Sequence, residues 1–210
     1  MLALLHTSPL HVPVFDALRD EHHQGLELRH FVHEELLNRA RREGPEAVAD
    51  ELGAVLDTAV AEGAAAVLCT CSTLGAVAEA AAAGVPVLRS DRPMAAAAVA
   101  AGPRIVVLAT VESTLGPTTS LIEEEAQRAG REVRVRTRLV EGAWERFASG
   151  DTDGCARLVA AAIGTVTDAD AIVLAQGSMA PAARLATTAV PVLSSPRPGL
   201  AAAAEAARIG

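Results

Sequence analysis

The segment Ala66–Ala101, AVLCTCSTLGAVAEAAAAGVPVLRSDRPMAAAAVAA, recurs without a gap as Ala171–Ala206, AIVLAQGSMAPAARLATTAVPVLSSPRPGLAAAAEA, 105 positions later. Alanine matches come cheaply in so alanine-rich a chain. The pattern Val-Pro-Val-Leu-x-Ser-x-Arg-Pro does not. Val85–Leu88 returns at Val190–Leu193, Ser90 meets Ser195, and Arg92-Pro93 meets Arg197-Pro198. Such a period is the mark of a duplicated structural unit, here half of the chain.

Each half reads outward from this repeat as strands alternating with helices. In the first half the pattern predicts strands at Leu2–Leu5, Leu26–Val32, Ala64–Cys69 and Val85–Leu88. Helices are expected at Val12–Arg19, Pro45–Glu62 and Cys71–Ala83, the second opened by Pro45 and closed by Gly63, the third closed by Gly84. The second half predicts strands at Arg104–Ala109, Glu132–Leu139, Asp170–Ala175 and Val190–Leu193, with a helix at Asp151–Thr167. The fold class is therefore α/β: two pseudo-symmetric Rossmann-like lobes, each a parallel four-stranded sheet flanked by helices. The expected lobes are 1–98, completed by a C-terminal helix at 198–210, and 99–197. Ligands of such sheets bind beyond the carboxyl ends of the strands. That singles out the loops His6–His11, His33–Leu37, Thr70–Gly75, Thr110–Pro117, Glu141–Gly150 and Gln176–Pro181.

Composition removes many chemistries. The chain has 210 residues and a formal net charge of −8; all 18 basic residues are Arg, there is no Tyr, and all 6 His lie between His6 and His33. Without Lys there is no Schiff base and no P-loop lysine. An acidic balance with 2% aromatics argues against nucleic acid as a partner. No stretch of ~18 apolar residues is free of charge and Pro, so no membrane span is expected. Nor does the N-terminus read as a signal peptide. Three Cys without a CxxC pair fit reduced thiols and a cytoplasmic location.

Cys71 stands just past a buried strand in Cys69-Thr70-Cys71-Ser72-Thr73-Leu74-Gly75, where the pattern also predicts a helix start. Outward-pointing amides at a helix start favour thiolate and bind anions. Cys69, inside the strand, and Cys155, early in a helix, read as packing residues.

Strand, Cys-Ser-Thr and helix together resemble the Cys-Asn-Thr loop of the aspartate/glutamate (hydantoin) racemase superfamily. Thr110-Val-Glu-Ser113-Thr114-Leu115 resembles that superfamily's second Thr-containing loop, and the likeness covers essentially the whole chain. It implies two pseudo-symmetric lobes with the site in the cleft between them, a homodimer, no cofactor and no metal. It implies Cys71 as catalytic acid/base toward a small-molecule carboxylate. Hydroxyls and amides at Thr7, Ser8, Ser72, Thr73, Thr110, Ser113, Thr114, Gln176, Gly177 and Ser178 would surround the developing negative charge. One departure stands out. The family carries a second Cys at the position matching Gln176, and Gln exchanges no proton.

The resemblance leaves three single-thiol chemistries open. Cys71 alone could protonate a carbanion, as in the arylmalonate decarboxylases. It could attack an activated double bond, as in the maleate isomerase branch. Racemisation could survive with His6, His33, Glu34 or Glu112 as second base. The alternatives to an isomerase or decarboxylase-like lyase are a non-catalytic small-acid binding protein and a redox sensor using Cys69 and Cys71. His22, His23 and His30 read as surface residues. Arg92 and Arg197, in symmetric positions, read as carboxylate binders or as structural ion pairs. Trp144 and Phe147 read as a lid or as core anchors.

Overall fold

Leu2–His6 and Ala66–Cys69 are buried along their whole length, the signature of central strands in a parallel sheet covered on both faces. The structure is a computed structural model and describes residues 1–209. Its first half runs β1 (Leu2–His6), α1 (Val12–His22), β2 (Leu28–Val32), α2 (Glu34–Glu43), α3 (Ala49–Ala61), β3 (Ala66–Cys69), α4 (Gly75–Ala80) and β4 (Val87–Arg89). The second half runs α5 (Arg92–Ala101), β5 (Arg104–Ala109), α6 (Leu115–Arg128), β6 (Arg134–Leu139), α7 (Ala143–Ala148), α8 (Thr152–Gly164), β7 (Ala171–Leu174), α9 (Ala182–Leu185), β8 (Val192–Ser194) and α10 (Pro196–Ile209). There are two four-stranded sheets, ordered β2-β1-β3-β4 and β6-β5-β7-β8, with every pairing parallel. The matching strand orders are the duplication seen in the sequence.

The alternation of each central strand explains the layers. Ala3 and Leu5 of β1 face α2, α3 and α4, where Leu36, Leu52 and Leu56 bury. Leu2 and Leu4 face the other way, onto Phe15 of α1 and Leu200 of α10. In the second sheet Val106 and Leu108 face Val159 and Ile163 of α8, while Ile105 and Val107 face Met94 of α5 and Ile122 of α6. Each such leucine or isoleucine contributes about 1.5–3 kcal/mol relative to exposure.

The chain divides into two compact units, Met1–Ser90 with Pro196–Gly210, and Asp91–Ser195. The sequence placed the first boundary at 98/99. It falls at 90/91 because α5, although it follows β4, packs on α6 and β7 of the second unit. Arg92 fixes that choice through Glu124 and Glu125 of α6. Conversely α10 follows β8 but packs on α1, β1 and β3. The two repeats have exchanged their last helices.

Several expected elements differ. The helix expected at Cys71–Ala83 is only the six-residue α4, preceded by a turn at 72–74. Alanine favours helix, but Ala81 turns extended, and Ala81, Ala83 and Val85 pack onto the core on the way to β4. The helix expected at Pro45–Glu62 splits into a 3-10 turn at Pro45–Val48 and α3. The expected loop His33–Leu37 is instead the start of α2, and Glu141–Gly150 contains α7. The final strands of both halves lie one to two residues later than expected.

Candidate active site

The loops beyond the carboxyl ends of β1 and β3 meet in the first unit. Backbone bonds set them: Thr70 N–H donates to Leu5 O at 3.0 Å, His33 N–H to His6 O at 2.8 Å and Ser90 N–H to Cys69 O at 2.9 Å. Cys71 follows directly and is 8% exposed, so its thiol is largely desolvated yet not sealed. Cys69, one pleat earlier, is 0% exposed and its Sγ donates to Cys71 O at 3.6 Å. Thr7 and Thr73 are buried, Ser72 and Ser8 partly so. The Ser8 hydroxyl accepts from Leu10 N–H at 3.4 Å, capping the short turn Pro9–His11.

The expected helix start at Cys71 is not there: α4 begins four residues later. What lies behind the loop instead is Arg89, a buried guanidinium that the sequence reading passed over. Its Nη2 donates to Ser72 O at 3.5 Å. Gly75 makes room for it, since a Cβ there would stand 2.8 Å from Arg89 Nε. The buried position at the end of an apolar strand was the available signal.

His6 and His30 also depart from expectation. His6 is 0% exposed, beneath the loop rather than open to it. Its Nδ1 pairs with Thr70 Oγ1 at 2.8 Å and its Nε2 with His30 Nδ1 at 2.8 Å. His30, read as a surface residue, has a side chain only 15% exposed and reaches Asp16 Oδ1 of α1 at 3.4 Å. Leu28, His30 and Val32 alternate along β2 with Arg29 and Phe31, so the period of two already placed His30 on one face with Leu28. Burial, then the neighbouring His11 and His30, push His6 down to about 3, so it stays uncharged at neutral pH. His33 is occupied with Glu35 at 2.7 Å, which together with a backbone hydrogen bond lowers that carboxyl; Glu34 and Glu112 are exposed.

In the second unit the equivalent loops hold Gln176 against Thr110. Thr110 N–H donates to Gln176 Oε1 at 2.7 Å, and Gln176 Nε2 lies 2.9 Å from Thr110 Oγ1. These two expected substrate ligands bind each other and tie β5 to β7. Thr114 Oγ1 donates to Val111 O at 2.8 Å, closing its own turn, and Ser113 is exposed. Gly177 and Ser178 open the 3-10 turn after β7 and are partly buried. Phe147 is buried, and Trp144 packs beside it at a ring separation of 5.8 Å, so both anchor α7 to the core. Arg92 is committed to α6 and Arg197 is exposed on α10. Cys155 is buried in α8, where burial, then Asp151, push its thiol up.

Among the described residues, no group of three or more His, Cys, Asp or Glu is placed to hold a metal ion. None of their helices is long and apolar enough to cross a membrane.

The model of a family described as Asp/Glu/Hydantoin racemase matches residues 13–206. No curated protein matches. Among solved structures, Picrophilus torridus aspartate racemase is similar with a TM-score of 0.71 and 14% identity, over 99% of this chain and 94% of that one. Allantoin racemase from Klebsiella pneumoniae gives 0.68 and 16%, over 100% and 88%. A glycine-to-cysteine mutant of arylmalonate decarboxylase gives 0.66 and 21%, over 100% and 94%. At these identities the likeness is one of fold.

Proposed function

The chain belongs to the Asp/Glu/hydantoin racemase family, and from that premise we propose that it is a cofactor-independent enzyme. It acts on a small carboxylate through a carbanion-like intermediate, with Cys71 as the single acid/base. The observation that carries this reading is the position of Cys71: 8% exposed, at the carboxyl end of a central strand, with the hydroxyls of Thr7, Thr73, Ser8 and Ser72 on the loops around it. Neutral donors of this kind hold a carboxylate and its developing charge without competing for the proton. The thiolate removes a proton from the α carbon, or the thiol delivers one to it. The same atom serves as acid or base on one face of the α carbon, which fits decarboxylase-type protonation; racemisation would require a second group on the opposite face.

A single thiol rather than a pair is supported by the second unit. Gln176, the counterpart of Cys71, has no proton to exchange and its amide oxygen is held by Thr110. That same observation favours the second reading, a non-catalytic binder of small acids. Iodoacetamide labelling separates the two. The enzyme reading predicts modification at Cys71 ahead of Cys69 and Cys155, slowed by malonate or aspartate and accompanied by loss of turnover. Equal labelling of the three thiols, indifferent to either acid, would overturn it.

A further inference from the structure

Thr70 Oγ1 sits at the end of a side-chain chain that runs 2.8 Å to His6 Nδ1, then from His6 Nε2 2.8 Å to His30 Nδ1, then from His30 Nε2 3.4 Å to Asp16 Oδ1. The same Oγ1 is also 3.1 Å from Leu5 O. A hydroxyl has one proton and cannot donate to both His6 Nδ1 and the carbonyl. Counting protons along the chain leaves two consistent arrangements.

In the first, Thr70 donates to His6 Nδ1, His6 donates through Nε2 to His30 Nδ1, and His30 donates through Nε2 to Asp16. Both imidazoles are neutral. In the second, His30 has gained one proton and donates from both nitrogens, to His6 Nε2 and to Asp16. His6 then carries its single proton on Nδ1 and donates to Thr70 Oγ1, which turns its own proton to Leu5 O. The net gain is one proton from solvent: His6 passes its Nε2 proton to His30 Nδ1 and takes the entering proton at Nδ1, the Thr70 hydroxyl proton turns to Leu5 O, and His6 is neutral in both arrangements. Its burial and its low pKa, about 3, suit a group that relays without charging.

The duplication supplies an internal control. Strand register makes Leu5 the counterpart of Leu108 and Leu4 that of Val107, so His6 corresponds to Ala109, Thr70 to Ala175 and His30 to Thr137. The chain of imidazoles therefore exists only in the unit that carries Cys71. The unit with Gln176 has no imidazole at the equivalent positions.

We propose that Asp16, His30, His6 and Thr70 form a two-state proton relay in which protonation of His30 turns the Thr70 hydroxyl from His6 to Leu5 O. This changes how the residue preceding Cys71 is anchored. The consequence for Cys71 rests on its proposed role as acid/base; the relay itself does not. From α1, Asp16 faces His30 and Arg19 reaches Asp16 at 3.3 Å, while His6 faces from β1. His11, whose ring stands 6.2 Å from that of His6, faces from the turn before α1. His6, His30, Asp16 and Thr70 are thus positioning residues.

The test is nitrogen-15 NMR of the imidazoles of the full chain from pH 8.5 to pH 5, with iodoacetamide labelling rates of Cys71 on the same samples. His6 is expected to stay neutral and to swap its proton from Nε2 to Nδ1 as pH falls, with the midpoint of His30 titration. The labelling profile of Cys71 shows an inflection at that midpoint. His30→Gln cannot take the proton, so it holds His6 in one tautomer and removes the inflection. Thr70→Val removes the hydroxyl and also loses the inflection while His30 still titrates. The relay is overturned if His6 keeps one tautomer while His30 titrates, if His6 itself gains a second proton, or if wild-type and His30→Gln profiles superimpose. Turnover that survives Cys71→Ala would remove the catalytic reading and leave the tautomer swap standing, so the two failures are distinguishable.

Discussion

If Cys71 is the proposed acid/base, Cys71→Ala is expected to lower turnover by about 10³-fold, the middle of the range that a positioned general acid/base supplies, while the dissociation constant for a bound carboxylate changes little. The loss is expected to be this large because the other thiols, His6 and Gln176 are poor substitutes. Cys69 is sealed in the strand and its thiol points to Cys71 O. Cys155 lies in α8 of the other unit with its thiol pushed up by burial. His6 is committed at both nitrogens, and Gln176 has no proton to give. Affinity is expected to survive because the proposed site would hold the carboxylate by hydroxyls rather than by sulfur. Cys71→Ser should recover little, since an alkoxide is far harder to form than a thiolate. Steady-state kinetics together with binding of malonate read the split, and circular dichroism confirms the fold. Turnover within threefold of wild type would show that sulfur plays no part.

Gly199→Ala is the largest expected effect on stability. Gly199 lies in α10 where that helix crosses the end of the first sheet. A Cβ there would collide with Ser90 O and stand 2.7 Å from Ser90 Cα. Those are backbone atoms, which cannot swing aside as a side chain can, so α10 must lift from the face that buries Leu200 and Ala203 against Leu4 and Leu68. A cost of about 3 kcal/mol is expected for such overpacking, and a fall of about 10 °C in Tm. Gly116→Ala in α6 is the control. Beyond its own helix backbone and chain neighbours no atom lies within 4 Å of its added Cβ, and it should instead gain about 0.5 kcal/mol through the unfolded chain. Thermal melts of the two variants with opposite signs support the close approach of α10. Equal melts would show that the helix does not depend on it. The counterpart of Gly199 in the repeat is Met94, buried in the core of the second unit, so the two exchanged helices do not dock by the same contact.

The central strands of both sheets were legible because they are dense apolar runs. Arg104–Ala109 matches β5 to the residue, and Ala66–Cys69 lies inside the expected third strand. Duplication then supplied the pairing of halves, which no local pattern contains. Helices were read less well where propensity and packing disagree. The alanine run after Cys71 reads as helix, yet most of it is needed to return the chain to β4. In α2 only Leu36 and Ala40 are buried, so Glu, Asn and Arg hid its period. The candidate thiol was legible from its place after a buried strand. Its support was not. Asp16, His30, His6 and Thr70 are separated by 14, 24 and 64 positions and meet only through the sheet. Thr110 and Gln176 were each recognisable as polar loop residues. That they satisfy each other follows from the distance between β5 and β7, which a linear reading does not carry.

The central claim is that one thiol moves the proton at the α carbon. The most direct measurement is deuterium incorporation in D2O, with wild type and Cys71→Ala each incubated with the enantiomers of aspartate and glutamate and with an arylmalonate. The single-thiol account predicts that wild type installs deuterium at the α carbon of at least one of these, on one face, and that Cys71→Ala installs none. Deuterium entering at the same rate in Cys71→Ala, or entering both faces equally in wild type, would contradict it.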